Sequence, residues 1–326
     1  MEETKFPLLA ADLNKWYKKR KAPLISMMNG RHKSIPSTKT LNCQMYTCIV
    51  KEGTRNMSGA DMVVFAEHDM EAMRIPPKKH PTSLWAFLSR EPQNHIYKAP
   101  QNLWDGVFNY SVTYDSDTDG NMHIFRDQII KRSRRSFQNF AAVKANREPN
   151  ALWFVSHCTE NWKKHHVWSA RAEYALELSK YITIDVFTKE DGCRDQLRSL
   201  IKNANTTVEP GFNDYTFYLA FESTLCKDYV SEKLWKILEA NIATIPIALG
   251  GLSIEEYTRV APPRSFIHVK NFSSPKALAD HLKYVAKNDA AFNYYLQWRN
   301  DFFLRNTKGR QKHDVGGAII PEKQGL

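Results

Sequence analysis

The sequence predicts an α/β protein of two domains, and three observations predict it. Its 326 residues are about twice the ~150 typical of one domain. Hydrophobic residues make up 42% and charged ones 25%, enough apolar side chain for substantial cores. Beyond residue 150, short apolar runs alternate with helix-length amphipathic stretches, the pattern of a parallel sheet covered on both faces. The same composition excludes a disordered chain, and 13 Gly with 15 Pro exclude a collagen-like or linker-like one.

In the first half, Met62–Ala66, Leu84–Leu88 and Val107–Tyr114 read as short strands between helical or loop pieces. Lys131–Asn150 is polar and basic and is expected to connect the domains, giving boundaries of 1–145 and 146–300 with a tail over 301–326. Leu152–Ser156 is a continuous apolar run short enough for a buried parallel strand. His165–Tyr181 then reads as a helix and Ile182–Phe187 as a second strand. Thr216–Phe221 follows as a strand, Tyr229–Asn241 as a helix, and Thr244–Leu249 and Ser265–Val269 as further strands. A closing helix spans Pro275 to Ala286, and Thr307–Leu326 is expected to be loose.

The charge balance is strongly basic: 46 Lys and Arg against 35 Asp and Glu leave +11. Such a surplus suggests an anionic partner, whether nucleic acid, a membrane surface or a phosphorylated substrate. The longest uncharged stretch, Ala240–Ile254, is shorter than the roughly 20 apolar residues of a spanning helix. The start, with Glu2, Glu3 and Lys5, has no signal-peptide core, so a soluble chain is expected. Five cysteines, at 43, 48, 158, 193 and 226, are too few for a disulfide scaffold. Cys43 and Cys48 lack the nearby partners of a zinc site. Glycosylation sequons at Asn56, Asn109, Asn205 and Asn271 lean gently towards a secretory history.

Ligands of open α/β sheets bind beyond the carboxyl ends of strands, often at helix N-termini. Tyr218–Trp235 fits that arrangement: a buried strand delivers Glu222, Asp228 is a candidate N-cap, and Val230, Leu234, Ile237 and Leu238 form the core stripe of the next helix. Glu232 and Lys233 fall off that stripe in the first turn, where free N–H groups and a lysine suit phosphate; a solvated Glu/Lys pair is the plainer alternative. Arg171 shares the row Val167, Arg171, Tyr174, Leu178. A guanidinium on a core-facing stripe needs an anionic partner. That partner is either a structural carboxylate or a bound diphosphate. In the first half, Glu91 stands at a strand end before Pro92, placed to act as a general base. Asp115-Ser116-Asp117-Thr118-Asp119-Gly120 opens like a calcium loop, but Arg126 occupies the position where an EF-hand needs Glu. It reads as a turn. No G-x-G-x-x-G, P-loop, G-x-S-x-G or H-E-x-x-H motif is present.

Taken in order, the segments Tyr218-Leu219-Ala220-Phe221-Glu222-Ser223, Asp228-Tyr229-Val230-Ser231-Glu232-Lys233-Leu234-Trp235, Ile245–Gly250, Ala261–Val269, Phe272–Ala279 and Tyr294–Arg299 resemble the α1,3-fucosyltransferases of glycosyltransferase family 10. Weaker echoes lie at Ala60–Phe65, Glu91-Pro92 and Phe108–Asp117. The resemblance implies a GT-B-like architecture of two Rossmann-like domains facing a cleft. GDP-fucose would be held by the C-terminal domain and a glycan acceptor by the N-terminal one. It implies single-displacement, inverting transfer of L-fucose from GDP-β-L-fucose to a GlcNAc-type hydroxyl of a glycoprotein or oligosaccharide, in α1,3 linkage. Arg171 and Lys233 would bind the diphosphate, Glu232 the hydroxyls of the nucleotide sugar, Tyr229 and Glu222 would shape the donor pocket, and Glu91 would be the base. No cofactor is required, with divalent-metal stimulation left open, and no nucleic-acid partner is implied. Golgi residence is expected, with membrane contact only through an anchor absent from this chain. Relatives carry cysteine where this chain has Cys193 and Cys226, so the resemblance implies a disulfide between them if the chain reaches the lumen.

Three positions depart from the family pattern. Ser223 stands where Asn is usual, Asp115 follows Tyr114 without the usual basic residue, and Glu91 meets Pro92 with no intervening Ser. They favour, as the alternative, a catalytically degenerate relative that binds nucleotide or glycan. A basic nucleic-acid-binding protein rests on net charge alone.

Overall fold

The computed structural model describes residues 22–28, 37–43, 46–54, 57–73, 75–89, 91–92, 101–121, 129–133, 137–155, 170–188, 211–240 and 242–304. Val167, Arg90, Arg126, Cys158, Cys193, Asn56, Asn205 and the tail from 307 lie outside them. The chain forms two compact units, Met1–Met122 and His123–Leu326.

The first unit is built on seven strands: β1 (Leu24–Met28), β2 (Ser37–Cys43), β3 (Tyr46–Thr54), β4 (Met62–Ala66), β5 (Leu84–Leu88), β6 (Tyr110–Thr113) and β7 (Gly120–Asn121). Their order is β2-β3-β1-β4-β5-β6-β7, and every pairing is parallel except the β2–β3 hairpin. Val63 and Phe65 of β4 and Trp85 of β5 are fully buried with Met70 of α1 (Glu67–Met73) and Trp104 of α2 (Gln101–Trp104). Phe65 anchors the aromatic packing, with ring centroids 4.7 Å from Trp85 and 5.6 Å from Trp104. The strands expected over 62–66 and 84–88 form as read, and the third is the shorter β6. β1 to β3 are additional to the strands read from the sequence, and β2 is an edge strand of polar residues, with Thr38, Lys39 and Thr40 exposed. Such an edge lacks an apolar alternation to read.

The second unit carries a five-stranded sheet, all parallel, ordered β10-β9-β11-β12-β13. A short antiparallel ribbon of β8 (Ile129–Lys131) and β14 (Phe302–Leu304) stands apart from it. The strands of the sheet are β9 (Asn150–Phe154), β10 (Thr183–Phe187), β11 (Phe217–Phe221), β12 (Ile245–Leu249) and β13 (Ile267–His268). Alternate side chains of β11 supply two cores. Phe217, Leu219 and Phe221 join Ala175, Leu178, Leu278 and Leu282 on one face, and Tyr218 and Ala220 join Leu234, Trp235 and Tyr257 on the other. The first core is covered by α4 (Arg171–Leu178), α7 (Pro275–Lys287) and α8 (Asp289–Leu296), the second by α5 (Glu232–Glu239) and α6 (Ile254–Val260). Two further short helices are α3 (Phe140–Val143) and α9 (Trp298–Asp301).

β8 and α3 pack within the second unit. β8 pairs with β14, and the Ala141 amide of α3 donates to the Asn293 side chain of α8 at 3.0 Å. β14 likewise draws the first residues of the expected tail into that unit. The helix expected over 229–241 begins at Glu232, and its cap is Ser231, not Asp228. Asp228 adopts φ +60, a left-handed conformation that turns the chain and that Asp tolerates. A residue in that conformation cannot be an extended N-cap.

Candidate active site

Strand order reverses between β9 and β11. β9 leads through α4 to β10 on one side, while β11 leads through α5 to β12 on the other. Loops leaving the carboxyl ends of two such strands diverge and open a crevice, the usual ligand position in this sheet type. Arg171 begins the helix that precedes β10, and Glu222 directly follows β11.

Glu222 is 1% exposed, held by its own backbone N–H donating to Leu249 O at 2.8 Å. Its carboxylate accepts the Ser231 backbone N–H at 2.8 Å and the Ser231 hydroxyl at 2.6 Å, and Lys233 Nζ lies 3.4 Å away. Burial pushes the Glu222 carboxyl up from its ordinary value, while Lys233 and the two Ser231 bonds work against that rise. Ser231 uses its whole hydrogen-bonding capacity. While donating to Glu222, its oxygen accepts from Lys233 Nζ at 2.8 Å and caps α5 through the Lys233 amide at 3.4 Å. The result is a chain of contacts, Glu222–Ser231–Lys233, that fixes the ammonium at the N-terminus of α5. Lys233 remains 17% exposed, and Glu232, 3.6 Å from it, is 55% exposed at the rim.

Arg171 arrives from the other face of the sheet. Its guanidinium donates to Phe221 O at 3.3 Å and lies 6.0 Å from the Trp153 ring centroid. Burial lowers its pKa, with the Glu222 carboxylate foremost and then Tyr229 and Tyr218 opposing. No carboxylate reaches ion-pair distance of it among the described residues. Tyr229 is 5% exposed, its amide donating to Cys226 O at 3.4 Å. Arg171, Glu222, Tyr229 and Lys233 are therefore one cluster, with Glu232 beside it. Two cations face one buried carboxylate at the positive end of α5. The arrangement can bind a diphosphate.

Glu91 belongs to the first unit. It is exposed, just beyond β5, with its amide donating to Ser89 Oγ at 3.2 Å and its carbonyl accepting the Ser89 hydroxyl at 3.0 Å. Asp115 and Asp119 cap a turn: Asp115 accepts the Asp117 amide, and Asp119 accepts the amide and hydroxyl of Ser111. Among the described residues no three His, Cys, Asp or Glu side chains gather as metal ligands. Cys226 is a free thiol whose sulfur accepts from Thr224 at 3.2 Å.

Several contributors escape sequence reasoning. Ser231 was overshadowed by Asp228, although a serine next to the helical stripe is the usual cap signal. Gly250 and Gly251 are required by close approach. A Cβ on Gly250 would stand 2.2 Å from Tyr257 Oη, and one on Gly251 would stand 2.1 Å from Cys226 O. The loop after β12 thus seats the loop that carries Glu222 to Tyr229.

Residues 144–319 match the model described as "Glycosyltransferase family 10 (fucosyltransferase) C-term", and residues 16–124 match "Fucosyltransferase, N-terminal". The chain belongs to glycosyltransferase family 10. All the clustered residues of this family-10 chain lie in the C-terminal match and Glu91 lies in the N-terminal one. It is 30% identical to glycoprotein 3-alpha-L-fucosyltransferase A of Drosophila melanogaster over 81% of this chain and 49% of that protein. It is 30% identical to alpha-(1,3)-fucosyltransferase fut-1 of Caenorhabditis elegans over 84% and 58%. Against 4-galactosyl-N-acetylglucosaminide 3-alpha-L-fucosyltransferase 9 of Bos taurus the figures are 30%, 79% and 65%. The chain therefore spans about half to two thirds of the length of these relatives. Among solved structures, the apo structure of OtsA aligns over 92% of each chain with a TM-score of 0.40 and 11% identity.

Proposed function

We propose that this chain is an inverting fucosyltransferase that moves L-fucose from GDP-β-L-fucose to a GlcNAc-type hydroxyl of a glycan, in α1,3 linkage. One observation carries the reading: Arg171 and Lys233 converge from opposite faces of the sheet on the crevice at the carboxyl end of β11. In this reading the two cations neutralise the β-phosphate oxygens as the bond from the fucosyl carbon to GDP breaks. Glu232 holds sugar hydroxyls, Tyr229 and Glu222 shape the pocket, and Glu91 takes the acceptor proton as the new glycosidic bond forms. GDP leaves with the bonding electron pair, and the anomeric carbon inverts. The chemistry needs no cofactor, and a divalent ion would act only as an aid to the leaving group. The α1,3-fucosyltransferase names of the relatives support fucosyl transfer and the linkage.

The test is a pair of substitutions in the full chain. Lys233→Ala should weaken GDP binding roughly ten- to a hundredfold, the loss of a charge-assisted contact. Glu91→Gln should spare GDP binding and reduce transfer by about 10²–10⁴-fold. Full activity of the Glu91 variant would remove the base assignment. Ser223 and the direct Glu91-Pro92 junction favour the second reading, a relative that binds GDP without turnover. GDP binding with no transfer to any glycan acceptor would establish that reading instead.

A further inference from the structure

Arg299 lies at the opposite end of α5 from Lys233. It is 7% exposed, and its guanidinium donates to the carbonyls of Ile237 at 2.9 Å, Leu238 at 3.0 Å and Ala240 at 3.1 Å. These carbonyls end the helix, where the last turn has no intrahelical donors. The charge sits at the negative end of the helix and no carboxylate pairs with it among the described residues, so three backbone dipoles take the place of a counter-ion. Burial draws its pKa down to about 9, Arg132 adding to the effect, which leaves it charged at neutral pH. Its Cζ lies over the Trp298 ring, 4.4 Å from the centroid. Its own backbone is pinned as well: Arg132 Nε donates to Arg299 O at 3.0 Å, and the Arg132 amide donates to Asp301 O at 2.7 Å.

We propose that Arg299 is a positioning residue for the donor site, acting through α5 to hold Lys233. The eight residues of α5 span only about 12 Å, so a shift at one end is delivered to the other. Leu234, Trp235, Ile237 and Leu238 hold the helix against the sheet, but apolar burial is non-directional and leaves the axial position loosely defined. Hydrogen bonds at both ends define it. Ser231 and Glu222 grip the first turn and Arg299 grips the last. Lysine at 299 would keep the charge but not the planar fork that reaches three carbonyls.

This inference rests on the reading of Lys233 as a donor-binding cation, and the test separates the two. GDP affinity is measured for the full chain carrying Arg299→Lys, alone and combined with Lys233→Ala or Arg171→Ala. Arg299→Lys should weaken GDP binding roughly three- to tenfold, with much the same factor in the Arg171→Ala background and almost none in the Lys233→Ala background. Acceptor KM should stay unchanged. Arg132→Gln, which frees the Arg299 backbone, should move GDP affinity the same way by a smaller factor and serves if Arg299→Lys fails to fold. A lowered Tm with unchanged GDP affinity in both variants overturns the proposal, as does an Arg299→Lys loss that persists in full without Lys233. If Lys233→Ala itself leaves GDP binding intact, the donor-site reading falls instead.

Discussion

At the scale of single residues, His268 shows how burial writes a pH dependence into the second unit. It is fully buried, its Nδ1 accepts the Lys270 amide at 3.1 Å, and its ring lies 5.0 Å from that of Tyr257. Burial first, and the Lys270 charge second, lower its pKa to about 4. Between pH 6.5 and 4 the unfolded chain therefore binds a proton that the folded chain refuses. Stability from this group is complete above pH 6.5 and is lost as pH falls towards 4, by roughly 2–4 kcal/mol. His268→Asn, which keeps an acceptor for the Lys270 amide, should flatten that slope in denaturant titrations across this range. Gly251 permits a second residue-scale prediction. The Cβ of Gly251→Ala would meet backbone rather than a movable side chain. The loop bearing Cys226 must shift, and a loss of about 1–3 kcal/mol in unfolding free energy is expected together with weaker GDP binding.

At the scale of elements, the two helices that frame the crevice begin differently. α5 starts conventionally, with Ser231 extended and its hydroxyl on the Lys233 amide. Ser231→Ala should cost about 1–3 kcal/mol, because it removes the cap and also strips a donor from buried Glu222. Ser231→Thr should restore most of that in thermal unfolding. α4 instead starts from Ala170 at φ +48 with no side-chain cap, a strained conformation for a residue with a Cβ. Ala170→Gly should raise stability by about 0.5–1 kcal/mol, measured by urea midpoint, without loss of GDP affinity. Backbone strain beside Arg171 is thus separable from its charge. The ends of α3 and α7 repeat the Arg299 theme: Arg147 donates to the carbonyls of Ala141, Lys144 and Ala286, pairs with Asp289 and stacks 4.7 Å over Phe292. Lys144 donates to the carbonyls of Asn213 and Tyr215 at 2.7 and 2.5 Å.

At the scale of the whole molecule, these contacts redistribute the +11 surplus. Arg147, Lys144 and Arg299 direct their charge at backbone carbonyls inside the second unit, and Arg171 and Lys233 direct theirs at the crevice. GDP at a hundred times its Kd should stabilise the full chain by about 2.7 kcal/mol, read as a rise in Tm that Lys233→Ala cuts to the equivalent of roughly 0.4–1.4 kcal/mol at the same concentration. No helix of the described residues is long and apolar enough to cross a membrane.

Much of this protein was legible in its sequence. The parallel sheet was written in apolar runs such as Phe217–Phe221 and Ile245–Leu249, which are buried throughout, because a strand covered on both faces must be apolar at every position. Arg171, Glu222, Tyr229 and Lys233 were visible as charged or polar groups at the ends of those elements, and they do form one cluster. What the tertiary structure decided is how their charges are held. That Ser231 rather than Asp228 caps the helix depends on a left-handed turn at Asp228, which leaves no periodicity. That β8 belongs to the second unit depends on β14, far along the chain. That Arg299 grips the last turn of α5 depends on carbonyls 237, 238 and 240, and backbone acceptors are the same at every position of any sequence. Side-chain chemistry is encoded locally, and the partner it meets is set by the path of the chain.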